Sequence, residues 1–92
     1  MQITIQSLEI TYDKVPYRFI VKKVFNTSKN EILFHCWAPD DNVKAKDLIR
    51  DEVLLFEWDH QNEELRHSDN TTSPVSDQLK QAIRANFLME RA

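Results

Sequence analysis

The chain contains no glycine in 92 residues, whereas proteins average about 7%. Glycine lets the backbone take positive φ values and approach a ligand closely. The P-loop, the dinucleotide-binding fingerprint and the nucleophile elbow of hydrolases all depend on that freedom. Its absence excludes these three motifs, and the sequence shows no other catalytic motif. We therefore expect a non-enzymatic protein that needs no cofactor.

Tight turns still require residues that tolerate the left-handed backbone region, and asparagine is the best substitute for glycine there. Asparagines lie between the segments that have strand or helix patterns, at Asn26, Asn30, Asn42, Asn62 and Asn70. We expect these asparagines to occupy the turns.

The length and the cysteine content predict a single domain, residues 1–92, held together by its core alone. One cysteine cannot form an internal disulfide, so nothing requires an oxidising compartment. The first residues lack the pattern of a signal peptide, and no apolar run approaches the ~20 residues that span a bilayer. The net charge of −3 argues against a sequence-independent nucleic-acid binder. We expect a cytoplasmic protein that contacts neither membrane nor nucleic acid.

Alternation of apolar and polar residues predicts an antiparallel meander of four to five strands. The predicted strands cover residues 2–12, 17–25, 31–38 and 52–59, with a short fifth strand around Leu65. In the first strand the apolar residues change phase between Ile5 and Leu8, which predicts a β-bulge near Gln6–Ser7.

A C-terminal segment has helical periodicity as far as Arg91. Ser73 and Pro74 provide an N-cap and a proline at the first helical position. The apolar face of this helix is predicted to consist of Val75, Leu79, Ala82, Ile83 and Phe87. Residues 43–51 are ambiguous between a loop and one or two helical turns. The predicted fold is α+β, with the meander, either an open sheet or a half-barrel, packed against one amphipathic helix.

The third strand places a histidine beside the only cysteine, in the stretch EILFHCWA. Successive side chains of a strand point to opposite faces, so His35 and Cys36 cannot meet one substrate or one metal ion. Cys36 shares its face with Phe34 and other apolar residues, which predicts an inert core thiol. No zinc-ligand spacing occurs, and we expect no metal site.

The opposite face of the predicted sheet is also apolar. It carries Arg18, Ile20, Lys22 and Val24 from the second strand, Leu33, His35 and Trp37 from the third, and Val53, Leu55 and Glu57 from the fourth. One helix of about 16 residues spans roughly 24 Å and can cover only one face of a sheet. Three coverings of the second face remain open: the loop at residues 39–51 or a curled half-barrel, a second copy of the chain, and a different protein or ligand.

Self-association is the leading hypothesis, because two-fold homodimers are the commonest oligomers and exposed apolar patches mark interfaces. Trp37 is its predicted centre, since tryptophan is enriched among interface hot spots. The alternative is a small enzyme or an anionic-ligand binder around Trp37. In that case His35 and Glu57 would form an acid–base pair across adjacent strands, and Arg18 with Lys22 would hold the anion.

Overall fold

The computed structural model describes residues 1–50, 52–68 and 72–88. The strands are β1 (Gln2–Tyr12), β2 (Val15–Asn26), β3 (Glu31–Trp37), β4 (Leu54–Asp59) and β5 (Glu64–His67). The helices are α1 (Val43–Leu48), between β3 and β4, and α2 (Ser76–Ile83), which continues as a π-helical turn at Arg84–Leu88. Each strand pairs antiparallel with the next, in the order β1-β2-β3-β4-β5. The predicted α+β meander with a C-terminal helix is confirmed.

The β1–β2 hairpin has a two-residue turn, because Tyr12 lies directly opposite Val15. Asp13 and Lys14 between them both have positive φ, at 52° and 65°, as a type I′ turn requires. β2 therefore begins two residues earlier than predicted and includes Pro16. The pairing of β2 with β3 starts only at Ile20, so the missing N–H of Pro16 removes no bond between these strands.

Asparagine replaces glycine at fewer turns than predicted. Among the described residues, positive φ occurs at Asp13, Lys14, Asn30, Arg50 and Glu63. Asn30 and Asn62 lie in turns, as predicted, and of these two only Asn30 has a positive φ. Asn26 is the last residue of β2, Asn42 directly precedes α1, and Asn70 lies outside the described residues. Two of these asparagines use their side chains instead. Asn42 caps α1 by accepting a hydrogen bond from the Ala45 N–H (3.0 Å), and Asn62 Nδ2 donates to a carboxylate oxygen of Asp59 (2.8 Å).

The predicted bulge near Gln6–Ser7 is wrong. The β1–β2 register is continuous from Gln2 opposite Phe25 to Tyr12 opposite Val15. The apolar residues change phase for another reason: the first half of β1 extends beyond the core, and residues 1–5 are all exposed. In that half the isoleucines lie on the face turned away from the helices, whereas the buried Leu8 and Ile10 lie on the face that the helices cover.

The helices cover one face of the sheet, which we call the inner face, and the core lies between them. Its fully buried large side chains are Phe19, Phe34, Phe56, Leu54, Leu79, Ile83, Val21, Val75 and Cys36. Phe34 also meets Phe87 edge to face, with ring centroids 5.5 Å apart. The predicted apolar face of the C-terminal helix is confirmed, because Val75, Leu79 and Ile83 are completely buried.

The ambiguous segment after β3 forms α1, which joins the same core through the buried Ala45 and Ile49. The Ser73 hydroxyl donates a hydrogen bond to the Leu48 carbonyl (2.9 Å), so α1 is tied to the chain that leads into α2. α1 thus packs on the helix side of the sheet, and the hypothesis that this segment covers the second face gains no support.

The C-terminal helix begins later than predicted. The Ser73 hydroxyl accepts a hydrogen bond from the Val75 N–H (3.2 Å), which forms a turn, and α2 itself starts at Ser76. The end of the predicted helix, at residues 89–91, lies outside the described residues. None of the described helices is long and apolar enough to cross a membrane.

Candidate interface on the outer face of the sheet

The strand register brings most of the predicted site residues together on the outer face, the face turned away from the helices. Three rows cross this face from β1 outward. They are Ile3–Val24–Leu33–Glu57–Arg66, Ile5–Lys22–His35–Leu55, and Ser7–Ile20–Trp37. The apolar members are neighbours, and we call them the outer patch: Ile3, Ile5, Ile20, Val24, Leu33, Trp37 and Leu55.

The outer patch is more exposed than the core that lies behind it. Ile3 and Ile5 are 55% and 62% exposed, and the other five members are half-buried. An antiparallel sheet with one solvated face normally carries polar residues on that face. An apolar surface that continues across four strands is typical of an interaction site.

Two basic groups lie in the middle of the outer patch. Lys22 is directly opposite His35, and His35 is directly opposite Leu55. Burial, and then the positive charge of Lys22, lower the pKa of His35 from its ordinary value. Both causes favour the neutral form of His35, and Lys22 contributes the positive charge at the centre of this face.

The expected acid–base pair is not formed. Glu57 lies opposite Leu33 in the β3–β4 register, so it is a diagonal neighbour of His35 rather than its cross-strand partner. Its Oε1 instead accepts a hydrogen bond from Arg66 of β5 (3.3 Å). Glu57 is thus part of an ion pair at the margin of the outer patch.

Arg18 also lies at a margin. It shares the outer face with Lys22, as predicted, and is opposite Glu9 of β1. Its guanidinium approaches the Asp41 carboxylate at 3.3 Å, where both side chains are largely exposed. An exposed ion pair of this kind contributes little to stability. It does, however, balance the charge of Arg18, which weakens the hypothesis of an anion site.

Cys36 is completely buried, and burial raises the pKa of its thiol to about 12. The three histidines lie in separate places: His35 on the outer face, His60 bonded to the Asn30 carbonyl (2.9 Å), and His67 against the ring of Phe56. In the part of the chain that the structure describes, no three histidine, cysteine or acidic side chains are grouped to hold a metal ion.

The sequence did not place Ile3 and Ile5 in the candidate site. The predicted bulge concealed them, because a bulge changes which residues share a face. The signal that could have placed them is the β1–β2 turn. With Tyr12 opposite Val15, direct counting brings Ile3 opposite Val24 and Ile5 opposite Lys22.

Two shallow depressions lie elsewhere on the molecule. One, between β1 and α2, is lined by Glu9, Ile10, Thr11, Gln78, Gln81 and Ala82. The other, between β5 and α2, is lined by Glu64, Leu65, Lys80, Gln81 and Arg84. Neither includes His35 or Trp37, so the predicted enzymatic residues do not line these concave surfaces.

The chain was also compared with known proteins. No protein family, no characterised protein and no solved structure matches it. The geometry and the chemistry of the outer face are therefore the basis for the function proposed below.

Proposed function

We propose that this is a small non-enzymatic binding protein that self-associates through the outer patch, in a contact that includes Trp37. The observation that carries the proposal is the apolar surface around Lys22 and His35 on the sheet face opposite the helices, where Ile20, Leu33 and Trp37 are only half-buried. We place the protein in the cytoplasm, where its single cysteine stays reduced.

The shape of the outer patch suits an identical partner. Its members are six aliphatic side chains and one tryptophan, which lies opposite Ile20, and apolar side chains of this kind pack well when two sheets lie face to face. A second copy presents an apolar surface of the same size.

The charges at the margin also favour a second copy. Arg18 is paired with Asp41, and Arg66 is paired with Glu57, so each ion pair is internal to one molecule. Two such rims can face each other without bringing unbalanced like charges together. A strongly charged rim would instead have required a partner of opposite charge.

The substitution Trp37→Asp tests the proposal. A carboxylate within an apolar contact loses its hydration on association, so the variant should lose the contact through the outer patch while keeping its fold. Val43→Asp is the matched control, because Val43 is a 65% exposed residue of α1 and is not a member of the outer patch. Light scattering after size exclusion gives the mass, and circular dichroism reports the fold.

The chain and the Val43→Asp variant should both approach twice 10.9 kDa as their concentration rises. The Trp37→Asp variant should have a lower mean mass than the control at each concentration. If Trp37→Asp associates as strongly as the control, the contact lies elsewhere. If it fails to fold while Val43→Asp folds, Trp37 belongs to the core and the proposal is wrong.

A second candidate function is the binding of a small anion, or catalysis on one, by His35, Glu57 and Arg18 around Trp37. The observation in its favour is that Lys22 and His35 lie side by side within the outer patch. Titration with inorganic phosphate, followed by the NMR signals of these two side chains, separates the hypotheses. Saturable shifts that disappear in Lys22→Ala support the anion site, and unchanged signals exclude phosphate as its ligand.

A further inference from the structure

The sheet has two edge strands, and they differ in how well they are protected from pairing with other chains. β5 has only 4 residues, and its outer side chains are Glu64 and Arg66. β1 has 11 residues and carries neither charge nor proline from Gln2 to Leu8. Short length, charges and prolines are the usual means of blocking a sheet edge. The first half of β1 has none of them.

The direction of the backbone groups of β1 follows from its turn. Tyr12 and Val15 flank a two-residue turn and so form a hydrogen-bonded pair, and such pairs recur at every second residue. The even-numbered residues of β1 therefore direct their N–H and C=O groups to β2. The odd-numbered residues, Ile3, Ile5 and Ser7 among them, direct theirs to the free edge.

α2 packs against the second half of β1, where Leu8 and Ile10 are buried. The first half differs, because residues 1–5 are exposed on both faces of the strand. Within the described ranges, the free edge next to Ile3 and Ile5 is open to another strand. Backbone groups aligned in this way select an extended strand as the partner.

We propose that the free edge of β1 pairs antiparallel with β1 of a second copy, centred on Ile5. In this register each Ile5 lies opposite the partner's Ile5, and Ile3 lies opposite the partner's Ser7. Odd-numbered residues then meet odd-numbered residues, so their outward N–H and C=O groups bond to each other. The segment from Gln2 to Leu8 contains no charged residue, so pairing it with a second copy brings no like charges together.

The resulting two-fold axis is perpendicular to the sheet, so the two sheets become one continuous sheet with both outer patches on the same side. Ile3 and Ile5, already members of the outer patch, lie at the junction. This edge contact uses backbone groups that the contact around Trp37 does not use. It therefore goes beyond the proposed function and can be tested separately.

Hydrogen exchange of individual amides in the whole chain, at low and high protein concentration, tests the edge contact. The amides of Thr4 and Gln6 should be protected at both concentrations, because they bond to β2. Those of Ile3, Ile5 and Ser7 should exchange fast in dilute solution and become protected at least about tenfold in concentrated solution. Fast exchange of these three amides at both concentrations would overturn the proposal.

Ile5→Pro provides the second measurement, with Ile5→Val as its control. Proline removes the outward N–H without removing a β1–β2 bond, whereas valine keeps both the N–H and the apolar side chain. Ile5→Pro should associate at least about tenfold more weakly than Ile5→Val, with an unchanged circular dichroism spectrum. Equal association of the two variants would overturn the edge contact.

The pattern of results separates the two contacts. If Trp37→Asp abolishes association while the amides of Ile3, Ile5 and Ser7 stay unprotected, the outer patch joins the copies and the edge contact fails. If Ile5→Pro abolishes association while Trp37→Asp does not, the edge contact holds and the proposed function fails. Protection of these three amides in a monomer at every concentration would mean that the chain covers its own edge, which overturns the edge contact.

Discussion

The two faces of this sheet differ far more in burial than in the kind of amino acid they carry. On the inner face Phe19, Phe34 and Phe56 are completely buried. On the outer face Leu33 and Trp37 are also apolar residues, but they are only half-buried, because no described helix packs on that face. Apolar composition identifies both faces as surfaces to be covered, and only the packing shows which of them the chain covers itself.

The largest expected difference between the faces is in stability, and two adjacent leucines of β4 measure it. Leu54 is completely buried on the inner face, whereas Leu55 is half-buried on the outer face. Leu54→Ala should lower the free energy of unfolding by about 2–5 kcal/mol because it leaves a cavity. Leu55→Ala should lower it by less than about 1 kcal/mol in dilute solution. Urea denaturation measures both, and equal losses would contradict the distinction between the faces.

The next prediction compares thiols on the two faces. Cys36 is buried and the pKa of its thiol is raised to about 12, so a thiol reagent should modify it slowly until the protein unfolds. A cysteine introduced by Leu33→Cys, in a chain that also carries Cys36→Ala, should react much faster in the native protein. Cys36→Ala itself should cost about 1–2 kcal/mol of stability. Comparable reaction rates at the two positions would show that the outer face is covered.

The smallest expected effect is a pH dependence of self-association. Burial and the neighbouring Lys22 lower the pKa of His35, so the folded protein binds this proton less readily than the unfolded chain, whose histidines titrate near pH ~6.5. The contribution of His35 to the free energy of unfolding is therefore fully present above about pH 6.5. It is lost as the pH falls from that value toward the lowered pKa of His35 in the folded protein.

Protonated His35 would also add a second positive charge beside Lys22 within the contact. Glu57, the acidic residue diagonal to His35, is already paired with Arg66. The dissociation constant, measured by sedimentation between pH 7.5 and pH 5.5, should accordingly rise a few fold. His35→Gln should remove this dependence, and a variant that keeps the full dependence would assign it to another group.

Much of the fold could be predicted, because alternation with period two is a local signal. It predicted an antiparallel meander and placed Cys36 and His35 on opposite faces of one strand. The register was less accessible, since it depends on the turn. Lys14 has a positive φ, which its residue type does not predict. The two-residue turn was therefore not recognised, and β2 was predicted to begin at Tyr17 instead of Val15.

For the candidate site, the sequence likewise predicted which residues share a face but not which of them are direct neighbours. The outer-face residues of β2, β3 and β4 were identified from their phase. The diagonal position of Glu57 follows from the β3–β4 register, which a long connection sets and the sequence does not specify. The ion pair of Arg18 with Asp41 depends on the path of the chain after β3 and has no local signal.

We propose that the outer face, and not the inner face, contacts another molecule of the same chain. NMR spectra recorded over a hundredfold dilution test it most directly, because neighbouring residues of β3 report on the two faces. The side-chain signals of Leu33 and Trp37 should shift with concentration, while those of Phe34 and Cys36 should stay constant. Outer-face signals that do not move over the whole range, or shifts confined to the helix side, would contradict it.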